Sequence, residues 1–225
     1  IAIRVDNPSH SGIDKFVGLE HFVSGDLKIK SYKTTENLTS ATKQFQSGDV
    51  LFARRNAYLR RASIVDFDGV CSGDAFVLRE KHDRIVPGFL AFIVNSESLW
   101  NFANSNAAGT MSKRVKWRDL ANFEFLLPPK AQQTEIAELL WAVDAVVEKQ
   151  IETDQKIDLL IKSYAKAHYF QKHEKFIKLK DIGKWVSGGT PSRRVSEYWS
   201  GDIPWVSPKD MKREPTGGDT TNRGK

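Results

Sequence analysis

The sequence predicts an α+β protein, in which a β-rich mixed globular unit is followed by a long coiled-coil helix and by the start of a second globular unit. Two observations predict this order. Short β-type segments, bounded by glycine and proline turns, fill residues 1–129. From Ala131 to Tyr169 glycine and proline are both absent, and apolar residues recur at heptad spacing. The expected units are therefore 1–129, 130–172 and 173–225.

The first unit contains several candidate strands and one candidate helix. Val50–Ala53 is wholly apolar and follows a glycine turn, which is typical of a buried strand. Residues 62–68 alternate apolar and polar, and 74–79 and 123–127 predict two more strands, the last one stopped by two prolines. Apolar spacing of three and four residues predicts a helix over 89–100.

The long helix carries an apolar stripe that needs a partner. Such a helix spans roughly 60 Å, too long for the preceding unit to cover. The stripe must pack against another long helix, from the full protein or from a second copy, and Gln150 within it adds a polar layer that favours one register. The residues expected to pack between helices are Ile136, Leu139, Val143, Val146, Gln150, Ile157, Leu160 and Tyr164.

The segment after the helix predicts a new globular unit. Residues 176–182 alternate apolar and polar, 187–192 predict a loop, and 204–206 enter a further strand. Residues 190–211 weakly resemble 7–22, which indicates an internal repeat. The chain then contains one unit lacking about its first ten residues and the first quarter of another.

Composition and charge exclude several classes of protein. The chain has 225 residues, 40 % hydrophobic and 28 % charged, which is an ordinary globular composition. Its longest uncharged apolar stretch is far too short for a membrane span. A single cysteine, Cys71, excludes a disulfide framework and favours a reducing, intracellular location. The net charge of +6 lies in two basic segments that flank a slightly acidic helix, and it weakly favours a polyanion partner.

Four stretches, taken in order, resemble the DNA specificity subunit of type I restriction–modification enzymes. Residues 187–211 resemble the opening of a target recognition domain, and 16–21 resemble the same place in another one. Residues 48–74 resemble the later part of that domain, and 127–144 the start of its long conserved helix. Together these stretches cover most of the chain.

The resemblance implies a fold and a division of labour. Two target recognition domains, each for one half of a bipartite DNA site, are held apart by two long helices that form an antiparallel coiled coil. The helices also dock methyltransferase subunits. Such a subunit is non-catalytic: S-adenosylmethionine, ATP and magnesium are expected only in the methyltransferase and motor-nuclease partners, in the prokaryotic cytoplasm. This chain contains one domain and one helix nearly whole, so two copies could pair through their helices.

Three basic segments are the candidate contacts with double-stranded DNA, because arginine, lysine and asparagine bind phosphates and base edges. Each has a structural alternative: a solvated arginine cluster, a charge-protected edge strand, and plain surface charge, respectively. The first contains Arg54, Arg55, Asn56, Tyr58, Arg60 and Arg61, the second Ser112, Lys113, Arg114 and Lys116, and the third Arg193, Arg194, Lys209 and Lys212.

Two other functions remain open from the sequence. The chain could be a coiled-coil adaptor whose basic unit binds DNA without sequence preference. Asp26 and Lys28, with Asp6 or Asp14, could instead imitate a metal-dependent nuclease triad, although acid-x-Lys is common by chance. No other metal site is expected, because the five histidines do not cluster. Residues beside the heptad stripe are the expected docking surface for protein partners: Glu135, Glu138, Trp141, Glu148 and Lys149.

Overall fold

The computed structural model describes residues 3–81, 83–170, 176–200, 202 and 206. It divides into two compact units, which meet in the sequence between Tyr164 and Ala165. The first unit contains the strands and nearly all of the long helix. Within the described ranges, no helix combines the length and the apolarity needed to cross a bilayer.

Two sheets form the first unit. Their strands are β1 Arg4–Val5, β2 Lys15–Val17, β3 Lys33–Thr34, β4 Thr42–Phe45, β5 Val50–Ala53, β6 Ala62–Ile64, β7 Gly69–Ser72 and β8 Ala75–Leu78. One sheet has the order β1-β4-β7-β2-β3, with only β2 and β7 parallel, and the other has the antiparallel order β6-β5-β8. The α+β prediction and the strand at β5 are confirmed.

Strand β5 is central because both of its faces are buried. Side chains alternate along a strand, so Phe52 points to one side, where it stacks on Trp100 at 4.8 Å between ring centroids. Leu51 points to the other side and packs with Phe45 and Val17 of the five-stranded sheet. A loop that follows β5 is therefore attached to the most rigid part of the unit.

In the described part of the chain, the α-helices that follow the strands are α1 Phe89–Val94, α2 Glu97–Ser105, α3 Trp117–Leu120 and α4 Lys130–Ala165. The single helix predicted over 89–100 is wrong, because the chain breaks at Asn95 and restarts. Ser96 causes the restart, since its hydroxyl accepts the Leu99 N–H at 3.3 Å as an N-cap.

The strand predicted at 123–127 is also wrong. The segment has no regular structure, and no strand pairs with it in the described part of the chain. Its aromatic residues pack locally instead: Phe123 contacts Phe102 at 5.4 Å and stacks on Phe125 at 6.0 Å between centroids. Alternation of apolar and polar residues alone could not show that these rings pack against one another and not against a neighbouring strand.

Helix α4 begins by packing one face against the sheet-containing part of its unit. Gln133 is buried there and donates its amide to the carbonyls of Pro128 and Arg84, at 2.8 and 3.2 Å. One helical turn further on, Ala137 is buried, and after another turn Trp141 packs edge-on against Phe92 at 4.8 Å. This i, i+4 spacing places all three on one side of the helix.

Ion pairs continue the same face. Lys28 lies 3.5 Å from Asp144 and above the Trp141 ring, at 5.1 Å from its centroid, and Lys30 lies 3.3 Å from Glu148. The prediction that Trp141 and Glu148 face a protein partner is therefore wrong. Both residues attach α4 to its own unit, because they lie on the face that Gln133 begins.

The heptad stripe lies on a different side of α4 and is exposed along its length. The long helix itself is confirmed, with 36 residues and a length of about 54 Å. Gln150 satisfies its amide within the helix by donating to Asp154 at 3.2 Å. A short π-helical turn, Lys166–Phe170, follows. Every residue predicted to pack between helices is solvent-exposed: Ile136, Leu139, Val143, Val146, Gln150, Ile157, Leu160 and Tyr164.

The second unit is described only in part. It contains two 3₁₀ turns, Leu179–Asp181 and Ser196–Trp199. Two indole N–H groups hold its loops: Trp185 donates to the Leu179 carbonyl at 2.8 Å, and Trp199 donates to the Ser192 carbonyl at 3.2 Å. Most of the strand predicted at 204–206 lies outside the described residues, as do Lys209 and Lys212.

Candidate nucleic-acid interface

The first basic segment forms a closed loop between β5 and β6. The loop is closed by the Ala53 N–H, which donates to the Arg61 carbonyl at 2.9 Å. A 3₁₀ turn, Ala57–Leu59, lies between Asn56 and Arg60, whose φ angles of 55° and 48° are left-handed. Asparagine tolerates this conformation, whereas arginine rarely adopts it. The loop therefore has a defined shape rather than that of a flexible connection.

The second basic segment runs directly beside this loop. The Val115 N–H donates to the Arg54 carbonyl at 2.9 Å, and the Asn56 N–H donates to the Lys113 carbonyl at 2.8 Å. The Arg55 guanidinium donates to the Ser112 hydroxyl at 2.6 Å. Two segments that lie far apart in sequence thus form one surface, with Arg55 and Ser112 separated by 57 positions. We call residues 54–61 and 108–116 the basic loop surface.

One carboxylate, Asp74, organises the arginines of this surface. Arg114 donates to its two oxygens at 3.0 and 3.3 Å, Arg54 donates at 3.4 Å, and Arg55 lies 4.0 Å away. The hydrogen bonds from Arg114 lower the pKa of Asp74 below its usual value. Since one negative charge faces three positive charges, the cluster stays cationic and can attract phosphate.

Asp74 was not predicted as a site residue. It occupies the turn between β7 and β8, and its neighbours in sequence are Gly73 and Ala75, so nothing beside it in sequence indicates a role with arginines. Lys43 was missed as well. Burial lowers the pKa of Lys43, whose ammonium donates to the Gly73 and Ala75 carbonyls at 3.2 and 2.7 Å.

Phe76 forms the floor beneath this cluster. The Lys43 ammonium lies 5.4 Å and the Arg54 guanidinium 5.8 Å from its ring centroid, and Trp117 packs edge-on at 5.7 Å. Cys71 is fully buried nearby, and burial raises the pKa of its thiol to about 12, so it stays neutral. The cations of the surface thus rest on a rigid apolar base.

Not every predicted contact is equally available to a ligand. Arg61 is turned into the protein, where it donates to the carbonyls of Leu19 and Arg55 at 3.2 and 3.1 Å. Arg60 forms a two-point ion pair with Glu97 at 2.5 and 2.6 Å. Tyr58, by contrast, is 64 % exposed. Among the other predicted contacts of this surface, Tyr58, Lys113, Arg114 and Lys116 are exposed, and Arg55 and Asn56 are half-buried.

The third basic set belongs to the second unit. Arg193 and Arg194 are exposed in the second unit, where the Arg194 N–H donates to the Ser192 hydroxyl at 3.3 Å. Their predicted companions Lys209 and Lys212 lie outside the described residues.

The residues considered for a nuclease triad make other contacts. Asp26 pairs with Lys30 at 2.9 Å, and Lys28 lies between Trp141 and Asp144 of α4. In the part of the chain that the structure describes, no three His, Cys, Asp or Glu side chains are grouped so that they could hold a metal ion. The contacts of Lys28 attach its segment to α4, which is a structural role.

Comparison with known proteins identifies the family. The model of the type I restriction modification DNA specificity domain matches residues 4–159, which include both sheets, the basic loop surface and most of α4. The chain belongs to this family. The family is defined by DNA specificity rather than by catalysis, which agrees with the predicted recognition role.

Individual members of the specificity family resemble this chain over part of their length. The specificity subunit of the type I restriction enzyme EcoDI, from Escherichia coli, is 28 % identical over 136 residues, which are 58 % of this chain and 30 % of that protein. The chain thus spans about a third of this curated relative. The rest of that relative lies outside the matched region.

Two solved structures share the fold. The HsdS subunit from Thermoanaerobacter tengcongensis superposes with a TM-score of 0.54 at 26 % identity, covering 79 % of this chain and 48 % of that one. A second structure, solved to explain complex assembly and conformational transition of the type I restriction–modification system, gives a TM-score of 0.56 at 25 % identity. It covers 86 % of this chain and 54 % of the other.

Proposed function

We propose that this chain recognises DNA for a type I restriction–modification system, using the basic loop surface to read one half of a bipartite site. The single observation that carries the proposal is the convergence of two distant basic loops around Asp74. Arginines held by a carboxylate are preorganised, so less entropy is lost when they meet a base or a phosphate. Membership of a DNA specificity family supplies the kind of ligand.

The open side chains fall into two groups by their chemistry. Lys113 and Lys116 are exposed cations that suit phosphates, and the Tyr58 hydroxyl can donate to a phosphate oxygen. Arg55 and Asn56 lie where the two loops join, and both side chains can bind a base edge at two points, arginine to guanine and asparagine to adenine. Phosphate contacts then set the register and Arg55 and Asn56 supply sequence preference.

The long helix has the second role in this proposal. Its inner face is engaged by its own unit from Gln133 to Glu148, which orients the basic loop surface relative to the helix axis. Its outer heptad stripe is open, so it pairs with a second long helix, from the same protein or from another copy. Methyltransferase subunits would then dock on this pair of helices. The units of the chain in this proposal are 1–129, 130–172 and 173–225.

The reactions are assigned to the partners. Methyl transfer with S-adenosylmethionine belongs to the methyltransferase subunits, and ATP- and magnesium-dependent cleavage belongs to the motor-nuclease subunit. These proteins act on cellular DNA, so the complex would work in the prokaryotic cytoplasm.

The test is a selection of bound duplexes from a randomised library, with and without the cognate methyltransferase subunits, at physiological salt. A short enriched motif, lost in Arg55→Ala and Arg114→Ala, is the expected result. Arg84→Ala is the matched control, because Arg84 is exposed in a turn that contacts α4. No enrichment in either condition, together with salt-sensitive binding to every duplex, would favour the adaptor with non-specific affinity instead.

A further inference from the structure

The tip of the second basic loop is a tight hairpin. Ala108 and Arg114 exchange two backbone hydrogen bonds, at 3.1 and 2.8 Å, and so close a five-residue turn between them. Gly109 enters the turn with φ at +123°, a conformation that side chains rarely adopt, and a Cβ there would lie 3.1 Å from the Ser112 carbonyl oxygen. The backbone of the tip is therefore fixed by its own geometry.

The tip is also anchored from below. Its Ser112 hydroxyl accepts from Arg55, and its Lys113 carbonyl accepts from the N–H of Asn56. Both partners follow β5, whose side chains are buried on both faces. A side chain on the tip is thus presented by a rigid scaffold, which is the arrangement that a specific contact needs.

Met111 occupies the outermost position of this tip. Its side chain is 98 % exposed, although its neighbours along the loop are Ser112, Lys113 and Arg114, which are polar or charged. It packs against nothing and adds nothing to the stability of the fold. A methionine is flexible and polarisable, and it adapts well to irregular apolar partners.

A DNA groove offers one apolar group at a base edge. The C5-methyl of thymine is that group in the major groove, where the other edges are donors and acceptors. An exposed methionine on a fixed tip among cations is complementary to this groove. The cations bind the DNA phosphates, and the thioether contacts the thymine methyl group.

We propose that Met111 is a specificity-determining residue that contacts the C5-methyl group of one thymine in the recognised half-site. This inference rests on the proposed DNA-reading function of the basic loop surface. It assigns to the tip a preference for the methyl group itself, which is read by apolar contact and not by hydrogen bonds.

The test uses single-atom-group changes in the DNA. In the duplex preferred by the full chain, each thymine is replaced in turn by deoxyuridine, which lacks only the methyl group. Wild-type chain is expected to lose about fourfold in affinity at one position, the value of one buried methyl. Met111→Ala is expected to bind the thymine and deoxyuridine duplexes equally, and Met111→Leu to keep most of the difference.

Leu126→Ala is the matched control, because Leu126 is equally exposed at 98 % but lies in the segment before α4. It should keep the full sensitivity to deoxyuridine. If a motif is selected but no deoxyuridine substitution weakens binding, or if Met111→Ala keeps the sensitivity, the inference is overturned while the proposed function stands. If the chain selects no motif at all, both fail. A change of DNA bending alone would indicate a wedge between bases, and it would also overturn the inference.

Discussion

The side-chain carbonyl of Gln133 accepts the backbone N–H of Val86 at 3.0 Å, and this bond joins the first turns of α4 to the recognition unit. The same side chain donates to two carbonyls, so all three of its bonds cross between α4 and the segments before it. A buried amide whose hydrogen bonds all go to other segments is costly to replace, because its partners lose their hydrogen bonds as well. Gln133 therefore fixes the start of the long helix, and Trp141, Asp144 and Glu148 continue the attachment along the same face.

Gln133→Leu should lower the free energy of unfolding by about 2–3 kcal/mol, because leucine has nearly the same size but leaves the Val86 N–H buried without a partner. Chemical denaturation measures the change. Gln132→Leu is the control, since Gln132 is its exposed neighbour and should change stability little. Equal losses in the two variants would show that Gln133 does not join α4 to the unit.

Asp74→Asn should separate affinity from specificity. Removing the carboxylate charge raises the net positive charge of the basic loop surface, so affinity for unrelated duplexes should rise. The same change loosens the arginines, so the ratio of specific to unrelated affinity should fall severalfold. Competition binding at two salt concentrations measures both. A fall in affinity for every duplex alike would contradict the organising role of Asp74.

The arginine cluster also has a pH signature. The pKa of Asp74 is held below its usual value in the folded chain, chiefly by hydrogen bonds from Arg114. Its stabilising contribution is therefore present above about pH 4 and is lost as the pH falls through the folded pKa. Arg114→Ala should flatten this acid-dependent loss of stability in a series of thermal melts. Arg84→Ala should leave it unchanged.

His21 gives a second pH dependence near neutrality. Its Nδ1 accepts the Gly18 N–H at 2.9 Å, and burial lowers its pKa. Since the folded pKa lies below the unfolded one, this contribution is complete above about pH 6.5 and is lost as the pH falls below it. His21→Asn should show a smaller decrease in the denaturation midpoint between pH 7.5 and 5.5. His10→Asn, in an exposed position, should behave as wild type.

The open heptad stripe predicts self-association of the chain when no other helix is supplied. Leu160→Glu places a charge within the apolar stripe and should shift sedimentation at tens of micromolar from dimer to monomer. Gln155→Glu adds the same charge outside the stripe and should not. Monomeric wild-type chain at this concentration would assign the stripe to a helix from another part of the protein.

The elements fixed by local pattern were predictable, and those fixed by partners were not. The strand Val50–Ala53 was predictable because a wholly apolar run after a glycine turn is typical of a buried strand. Helix α4 was predictable because its heptad pattern continues along a helix of 36 residues. The predicted strand at 123–127 failed because alternation does not reveal whether a neighbouring strand exists. The prediction of one helix over 89–100 failed because Ser96 caps a new helix at this point, although the apolar spacing continues across it.

The site was predictable as composition but not as geometry. Arginine-rich segments are visible in the sequence, whereas their convergence depends on backbone pairing between loops far apart in the chain. Asp74 became visible only through the side chains it contacts. Trp141 was placed correctly off the stripe, but the sequence could not show that its own unit covers that face.

The central claim is that the basic loop surface reads sequence. Its most direct test is the affinity of the wild-type chain, Arg55→Ala and Arg84→Ala for the selected duplex and for a permuted duplex of equal composition at physiological salt. Wild type and Arg84→Ala should prefer the selected duplex, and Arg55→Ala should lose about tenfold of that preference. Equal affinity of the wild-type chain for both duplexes, or an unchanged preference in Arg55→Ala, would contradict the claim.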